Sequence, residues 1–90
     1  MYNSISEIKI KNKEINQRWF SPQTMKFFNS KIETGVLKGK YFITSERREK
    51  YFPKKYSIRK AEENGSIDTI GEFQQFSSIE EAKDFLDSSI

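Results

Sequence analysis

The chemically richest stretch of this sequence is SERREKYFPKK, residues 45–55, which combines five Lys/Arg with two Glu, two aromatic residues and a proline. Basic side chains at this density can contact phosphates, and exposed aromatic rings can stack on nucleic-acid bases. Tyr51 and Phe52 either stack on a partner or anchor the loop to the core. A solvated connection between two strands is the plainer alternative. The predicted basic contact residues are Arg47, Arg48, Lys50, Lys54, Lys55, Arg59 and Lys60.

Two of the residue types used most often in catalysis are missing, because the sequence contains no histidine and no cysteine. Histidine general bases, cysteine nucleophiles, Ser-His-Asp triads and ordinary zinc sites are therefore excluded. Asp68 and Glu72 would share one face of a hairpin strand, with Arg59 and Ser57 opposite, and we interpret them as a surface salt-bridge ladder. We predict no catalytic residue, no metal site and no cofactor, and hence a protein that is not an enzyme.

The charges are divided unevenly along the chain, although the net charge is only +3. Residues 1–60 carry fifteen Lys/Arg against five Asp/Glu, whereas residues 61–90 carry eight Asp/Glu against Lys83 alone. Such asymmetry indicates a charged partner. An equally simple explanation is that the two halves attract each other in the fold.

A chain of 90 residues forms one domain, and without disulfides its core must come from eight Phe, four Tyr and one Trp. Near the N-terminus, Ile8 and Ile10 alternate with charged residues, as in an edge strand whose lysines discourage further pairing, while Ile5, Ile8 and Ile15 fit a helix loosely. We therefore predict an N-terminal arm or edge strand over residues 1–18 and a single α+β domain over residues 19–90.

A short helix is predicted within SPQTMKFFNSKI, residues 21–32. Ser21 is a favourable N-cap, and Pro22 suits the first helical position. Met25, Phe28 and Ile32 follow at helical spacing and would face the core. YFITSE, residues 41–46, then predicts a strand, with Val36 and Leu37 as its short partner.

The pair Asn64-Gly65 predicts a β-hairpin, because it is the preferred pair for a two-residue type I′ turn. Pairing outward from this turn places Glu62 opposite Ile67 and Ile58 opposite Gly71. Gly71 inside the second strand predicts a bulge or a close approach by another element. The predicted core face of the hairpin comprises Tyr56, Ile58, Ile67 and Phe73.

The last segment, SSIEEAKDFLDSS, predicts an amphipathic helix that begins with a capping box, either Ser77 with Glu80 or Ser78 with Glu81. Its apolar stripe is Ile79, Ala82, Phe85 and Leu86, and its possible acidic contact face is Glu80, Glu81, Asp84 and Asp87. The element order predicts a small two-layer α+β domain. A three- to four-stranded antiparallel sheet would carry a short N-terminal helix and this C-terminal helix on one face.

Three segments, FSPQTMKFFNSKI, GKYFITSE and YSIRKAEENGSIDTIGEFQQFSSIEEA, together resemble a family of small uncharacterised proteins encoded by phages, prophages and plasmids. The family pattern combines F-S-x-x-T-M-[KR]-F-F, Y-F-[IV]-T-S-E and G-x-I-x-T-[IV]-G-x-F, over about residues 20–85, with residues 1–18 outside it. The resemblance carries no activity. It implies a mobile-element context, in which small proteins often modulate or block host machinery, including CRISPR-type defence.

The leading functional hypothesis is an anti-CRISPR-like accessory protein that binds and modulates or inhibits a host protein or ribonucleoprotein complex. Two opposite charge patches on one small rigid domain suit docking against a larger charged machine. The alternatives are a basic protein that binds RNA or DNA through the 46–55 loop, and an assembly protein that forms a homodimer through a sheet edge. The lack of a signal-peptide pattern and of a membrane-length apolar run favours the bacterial cytoplasm and no membrane partner.

Overall fold

The computed structural model describes residues 1–49 and 51–89. The predicted α+β class with an antiparallel sheet is confirmed, and the sheet has four strands in the order β1-β2-β3-β4, with each pair of neighbours antiparallel. The elements are α1 Ile5–Glu14, α2 Pro22–Phe27, β1 Lys31–Ile32, β2 Tyr41–Glu46, β3 Lys55–Ala61, β4 Ile67–Ile70 and α3 Ile79–Ser89.

Helices cover both faces of this sheet, so the domain has one layer more than the sequence predicts. On one face α3 packs Ala82 and Leu86 against Ile43 and Ile58. On the other face Ile8 of α1 joins a second buried cluster with Phe42 and Ala61, which Trp19 and Phe20 help to cover. We call these the α3 face and the α1 face.

Within residues 1–18, where the sequence predicts an arm or edge strand, the structure instead has the helix α1 over Ile5–Glu14, which packs Ile8 against the sheet. The Ser4 side chain caps α1 by accepting a hydrogen bond from the Glu7 backbone N–H at 3.3 Å. Ile8 and Asn12 are buried, whereas Ile10 is 61 % exposed. The alternation of Ile8 and Ile10 was too short to define a strand, and the helical spacing of Ile8 and Asn12 determines which side faces the sheet.

The side chain of Asn12 connects α1 to the rest of the fold. Its Nδ2 donates to the Gly65 carbonyl at 2.9 Å and to Gln17 Oε1 at 3.0 Å, while its Oδ1 accepts from the Trp19 backbone N–H at 3.3 Å. A buried amide with all these partners fixes the position of the helix, because leaving any of them unpaired would be costly.

Helix α2 is shorter than predicted. It begins at the predicted Ser21 cap and ends at Phe27, with Phe28 as its C-cap. Asn29 then adopts a φ of 49°, a left-handed conformation that ends the helix. Ile32 consequently lies in β1, opposite Thr44 of β2, and not on a helix.

The hairpin between β3 and β4 has a register one residue away from the predicted one. Ile58 lies opposite Ile70, and Ala61 lies opposite Ile67. The turn has three residues because Glu62 N–H donates to the Ser66 carbonyl at 2.9 Å, with Gly65 at φ 101°. A shift of one residue exchanges the faces of β4, so Ile70 packs on the α3 face and Ile67 on the α1 face.

The ladder is interrupted at Gly71 by a wide bulge of residues 71–75, where the sequence predicts a bulge or a close approach by another element. Beyond the pair Ile58–Ile70, the ladder resumes at Tyr56 and Phe76, so Ser57 alone faces residues 71–75. Gly71 has a φ of 75°, and the Ser57 hydroxyl accepts from the Gln74 backbone N–H at 2.8 Å. This bulge carries Phe73 over the α1 face of the sheet, where it meets Arg59.

Helix α3 has the predicted amphipathic character. Ser78 Oγ accepts from the Glu81 backbone N–H at 3.1 Å, as in the second of the two predicted capping boxes. Ala82 and Leu86 are buried, with Ile79 and Phe85 packed against the same cluster. In residues 1–49 and 51–89, no helix has both the length and the apolar character needed to cross a bilayer.

Candidate binding site

A buried ion pair lies on the α1 face, at the end of the sheet where β2 and β3 enter the basic loop. Arg59 Nη2 lies 3.2 Å from Glu46 Oε2. The same carboxylate accepts from Thr44 Oγ1 at 2.5 Å and from Ser57 Oγ at 2.8 Å. Arg59 also donates from Nε to Thr44 Oγ1 at 3.1 Å and from Nη1 to the Thr69 hydroxyl.

This arrangement corrects the expectation that Arg59 is a surface contact residue, because its exposure is 7 % and that of Glu46 is 1 %. The guanidinium lies between two aromatic rings, 5.2 Å from the centroids of both Trp19 and Phe73. Burial lowers the pKa of Arg59, and the nearby Glu46 carboxylate opposes that shift. Arg59 is therefore buried beneath the protein surface and is not itself an exposed contact residue.

Above this pair lies a surface that we call the aromatic–arginine patch, which consists of Phe27, Phe28, Phe73, Arg47 and Arg48. Phe27 is 80 % exposed, and Phe28 and Phe73 are each 46 % exposed. The rings contact edge to face, with centroids 4.9 Å apart for Phe27–Phe28 and 6.0 Å apart for Phe28–Phe73. With Gln74, these residues line a cleft of about 260 Å³.

A second, polar cleft of about 370 Å³ adjoins the patch, and Arg47 lines both. Asn29 Nδ2 donates to the Arg47 carbonyl at 3.1 Å, which ties the start of the loop to the end of α2. Besides Arg47, the residues that line the polar cleft are Asn29, Lys31, Ser45, Glu46 and Lys54. We refer to the patch and this polar cleft together as the groove.

The remaining predicted contact residues do not all gather at the groove. Lys55 lies opposite Glu46 in the β2–β3 ladder, and Lys60 lies at the far end of β3, with its Nζ 3.2 Å from Glu62 Oε1. Tyr51 and Phe52 are 91 % and 47 % exposed, so neither is buried in the core. Lys50 lies outside the described residues.

The predicted acidic face is exposed on α3, on the opposite side of the sheet from the patch. Asp87 lies 3.8 Å from Lys38 Nζ, and Glu81 accepts from the Ser77 backbone N–H at 3.2 Å. Ion pairs such as Lys38–Asp87 join the basic and acidic halves, while the acids of α3 and the arginines of the patch lie on opposite faces of the sheet. The members of this face are Glu80, Glu81, Asp84 and Asp87.

Asp68 shares a hydrogen bond with Glu62 and lies opposite Lys60, while Arg59 is paired with Glu46, so the predicted salt-bridge ladder of Asp68 and Glu72 with Arg59 is not formed. The hydrogen bond that Asp68 shares with Glu62 raises the pKa of Asp68, and together with Lys60 it lowers the pKa of Glu62. Glu72 lies in the bulge, where its backbone N–H donates to Gln75 Oε1 at 3.0 Å. Among the described residues, no three acidic side chains are grouped so as to hold a metal ion.

Sequence reasoning missed the aromatic half of the site, although one signal was present. MKFF places two phenylalanines side by side at the end of a short helix, and adjacent helical positions point about 100° apart. Phe27 and Phe28 therefore cannot both face the core. Phe73 gave no local signal, because its position depends on the bulge.

Comparison with known protein families finds a match that spans most of the chain. The model of the DUF7447 family, a family of unknown function, matches residues 4–87. The chain belongs to this family. The match includes α1, in agreement with the packing of that helix onto the sheet. No curated protein and no solved structure matches the chain.

Proposed function

We propose that this DUF7447 protein is a non-enzymatic binding protein that docks onto a nucleic-acid-handling complex of a bacterial host and modulates or inhibits it. The aromatic–arginine patch is the observation that carries this proposal. Three phenylalanine rings, each 46 % or more exposed, are linked by edge-to-face contacts of Phe28 with Phe27 and with Phe73, and two arginines line the same cleft. Aromatic residues and arginine are the types enriched at the energetic centres of interfaces.

The structure beneath the patch supports a binding role, because it holds the rings before any partner arrives. Phe73 rests on Arg59, which Glu46, Thr44 and Thr69 hold in place. A surface that is already ordered loses less conformational entropy on binding, so more of the contact energy appears as affinity.

The division of charge between the two sides supports a nucleic-acid-handling partner. Arg47, Arg48 and Lys54 lie at the groove, whereas the acids of α3 lie on the far side of the sheet. A domain with this polarity is steered by a charged machine into one orientation. The resemblance to phage, prophage and plasmid proteins supports the more specific proposal of an anti-CRISPR-like inhibitor that acts in the bacterial cytoplasm.

The test combines capture with variants of matched exposure. Tagged protein is incubated with bacterial lysate, with and without nuclease, and the retained proteins are identified by mass spectrometry. We expect one nucleic-acid-handling complex to be retained by the wild type and lost with Phe27→Ala or Arg48→Ala. Ile10→Ala and Lys83→Ala, which change an exposed apolar and an exposed basic residue away from the patch, should retain it.

A functional readout decides whether retention has a consequence. Expression of the wild type in bacteria with an active defence system should raise the survival of an incoming plasmid or phage, and Phe27→Ala should abolish the rise. If all four variants retain the same proteins as the wild type, the patch does not dock and the proposal fails.

A further inference from the structure

We infer that the groove binds a single strand of RNA or DNA, with bases stacked on Phe27 and Phe73 and phosphates beside Arg48 and Lys54. This inference rests on the proposed function, since it names the component of the host complex that the patch contacts. It also changes the stacking residues from the loop aromatics Tyr51 and Phe52 to rings on α2 and on the 71–75 bulge.

Two kinds of surface, one aromatic and one basic, lie next to each other in the groove. Proteins that bind single strands without sequence preference combine aromatic rings, which stack on bases, with a basic groove that follows the backbone. Here the aromatic cleft and the polar cleft share Arg47 as a common wall. Arg48 borders the aromatic cleft, and Lys31 and Lys54 border the polar one.

The charge within the groove is mainly positive. Glu46 is the acidic residue among those that line either cleft, and its carboxylate is buried against Arg59, Thr44 and Ser57. Its negative charge is therefore compensated before a polyanion arrives. The exposed acids of α3 lie across the sheet, where they repel a phosphate backbone from the wrong face.

The exposed rings of the patch favour a single strand over a duplex. In a duplex the base faces are covered by their neighbours, so rings can stack only on bases that are unpaired. Phe27 is 80 % exposed, which leaves much of the ring accessible to an incoming base. Exposed phenyl rings would contribute nothing to a surface that contacts only the phosphates of a duplex.

The test measures fluorescence anisotropy of labelled single-stranded RNA and DNA of mixed sequence, about ten nucleotides long because comparable sites take roughly 4–16 nucleotides. We expect binding at low salt, weaker binding of the matching duplex, and a loss of affinity of roughly ten-fold for Phe27→Ala. Ile10→Ala, the matched apolar control, should bind as the wild type does.

The salt series tests the basic half of the groove separately. Arg48→Ala should reduce the slope of log affinity against log salt by about 0.7, the value for one phosphate contact on a single strand. Lys83→Ala, on α3, should leave the slope unchanged. Tyr51→Ala should leave affinity unchanged, because the rings of the patch and not the loop aromatics carry the stacking.

Several results would overturn the inference. These are no binding of either single strand at low salt, duplex binding as tight as single-strand binding, equal affinities for Phe27→Ala and Ile10→Ala, or full displacement by a poly-glutamate peptide of equal charge. Capture of a host complex that survives nuclease and needs Phe27, without oligonucleotide binding, would leave the proposed function standing and refute this inference. Oligonucleotide binding without a captured complex would leave this inference standing and refute the proposed function.

Discussion

The two faces of the sheet are formed by the same strands but differ in the kinds of side chain that they bury. On the α3 face, Tyr41, Ile43 and Ile58 form an apolar cluster with Ala82 and Leu86, and the helix that covers them presents acids to solvent. On the α1 face, the same two strands carry the apolar residues Phe42 and Ala61 at the end away from the basic loop. At the end next to the loop, the residues on this face are polar.

The polar end of the α1 face is expensive to build, because buried charges lose their hydration. An apolar cluster like that of the α3 face would give stability at lower cost. The Glu46–Arg59 pair instead supports an exposed aromatic surface directly above it. We therefore expect the α3 face mainly to stabilise the domain, and the polar end of the α1 face to contribute less stability while it holds the aromatic surface in place.

The largest expected effect comes from breaking the buried pair on one side only. Arg59→Met leaves the Glu46 carboxylate buried without its cation, and we expect the free energy of unfolding to fall by about 3–5 kcal/mol. Urea denaturation followed by tryptophan fluorescence measures it, since Trp19 lies against Arg59.

Two variants control this experiment. Arg48→Met removes an exposed arginine of the patch and should change stability by no more than about 0.5 kcal/mol. The double variant Glu46→Leu/Arg59→Met should recover most of the loss or exceed the wild type, because well-packed apolar residues often replace a buried pair without cost. Equal losses for Arg59→Met and Arg48→Met would contradict the contrast between the two faces.

The α3 face is tested by Leu86→Ala. Leu86 is buried against the sheet, so the cavity should lower the free energy of unfolding by roughly 2–5 kcal/mol. Nucleic-acid or partner binding by the folded variant should stay as in the wild type, because the patch lies across the sheet. A binding defect in folded Leu86→Ala would show that the two faces are not separable.

The attachment of α1 is tested by a pair of glycine substitutions. Gly65→Ala should destabilise the fold by about 1–3 kcal/mol, because φ is 101° and a Cβ would lie 2.6 Å from the Lys11 carbonyl oxygen. At Gly35 a Cβ meets nothing within 4 Å, so Gly35→Ala should leave stability unchanged or raise it by under about 1 kcal/mol. Thermal unfolding of both variants gives the comparison, and equal shifts would disprove it.

The smallest effect is the titration order of two exposed carboxyls at the far end of the sheet. Ordinary values are 4.5 for Glu62 and 3.8 for Asp68, but here the pKa of Glu62 is lowered and that of Asp68 raised. We expect carbon-detected NMR to show the two pKa values drawn together or reversed. Since a raised pKa in the fold favours the protonated acid, the unfavourable effect of Asp68 on stability should disappear as the pH falls through that pKa.

Asp68→Asn provides the check on this pair. It removes the carboxyl that shares a hydrogen bond with Glu62, so the pKa of Glu62 should change while binding at the groove does not. An unaltered Glu62 titration would mean that the two side chains do not interact in solution.

Local patterns were sufficient where one segment determines its own structure. The capping pair Ser78–Glu81, the apolar stripe of α3 and the bulge at Gly71 all follow from short sequence signals. The hairpin register could not be predicted from a short signal, because Asn64-Gly65 is compatible with turns of two or of three residues. Contact between Gly65 and Asn12 of α1, distant in sequence, accompanies the longer turn.

The site was predictable in its charge but not in its shape. Arg47, Arg48 and Lys54 stand out in the sequence, and they do border the groove. Arg59 belongs to the same basic run, yet its strand position turns it under the surface. The aromatic half depends on where α2 ends and on the contacts that Phe73 makes with Arg59 and Phe28, which no local pattern reveals.

The bulge of residues 71–75 has a consequence for how the protein behaves in a crowded cell. A free sheet edge is a template on which other chains can add a strand, and short or interrupted edge strands discourage this. β4 offers four residues before the bulge breaks its ladder, and β1 at the opposite edge has two. The same distortion that aims Phe73 at the groove therefore also protects the protein from edge-to-edge aggregation.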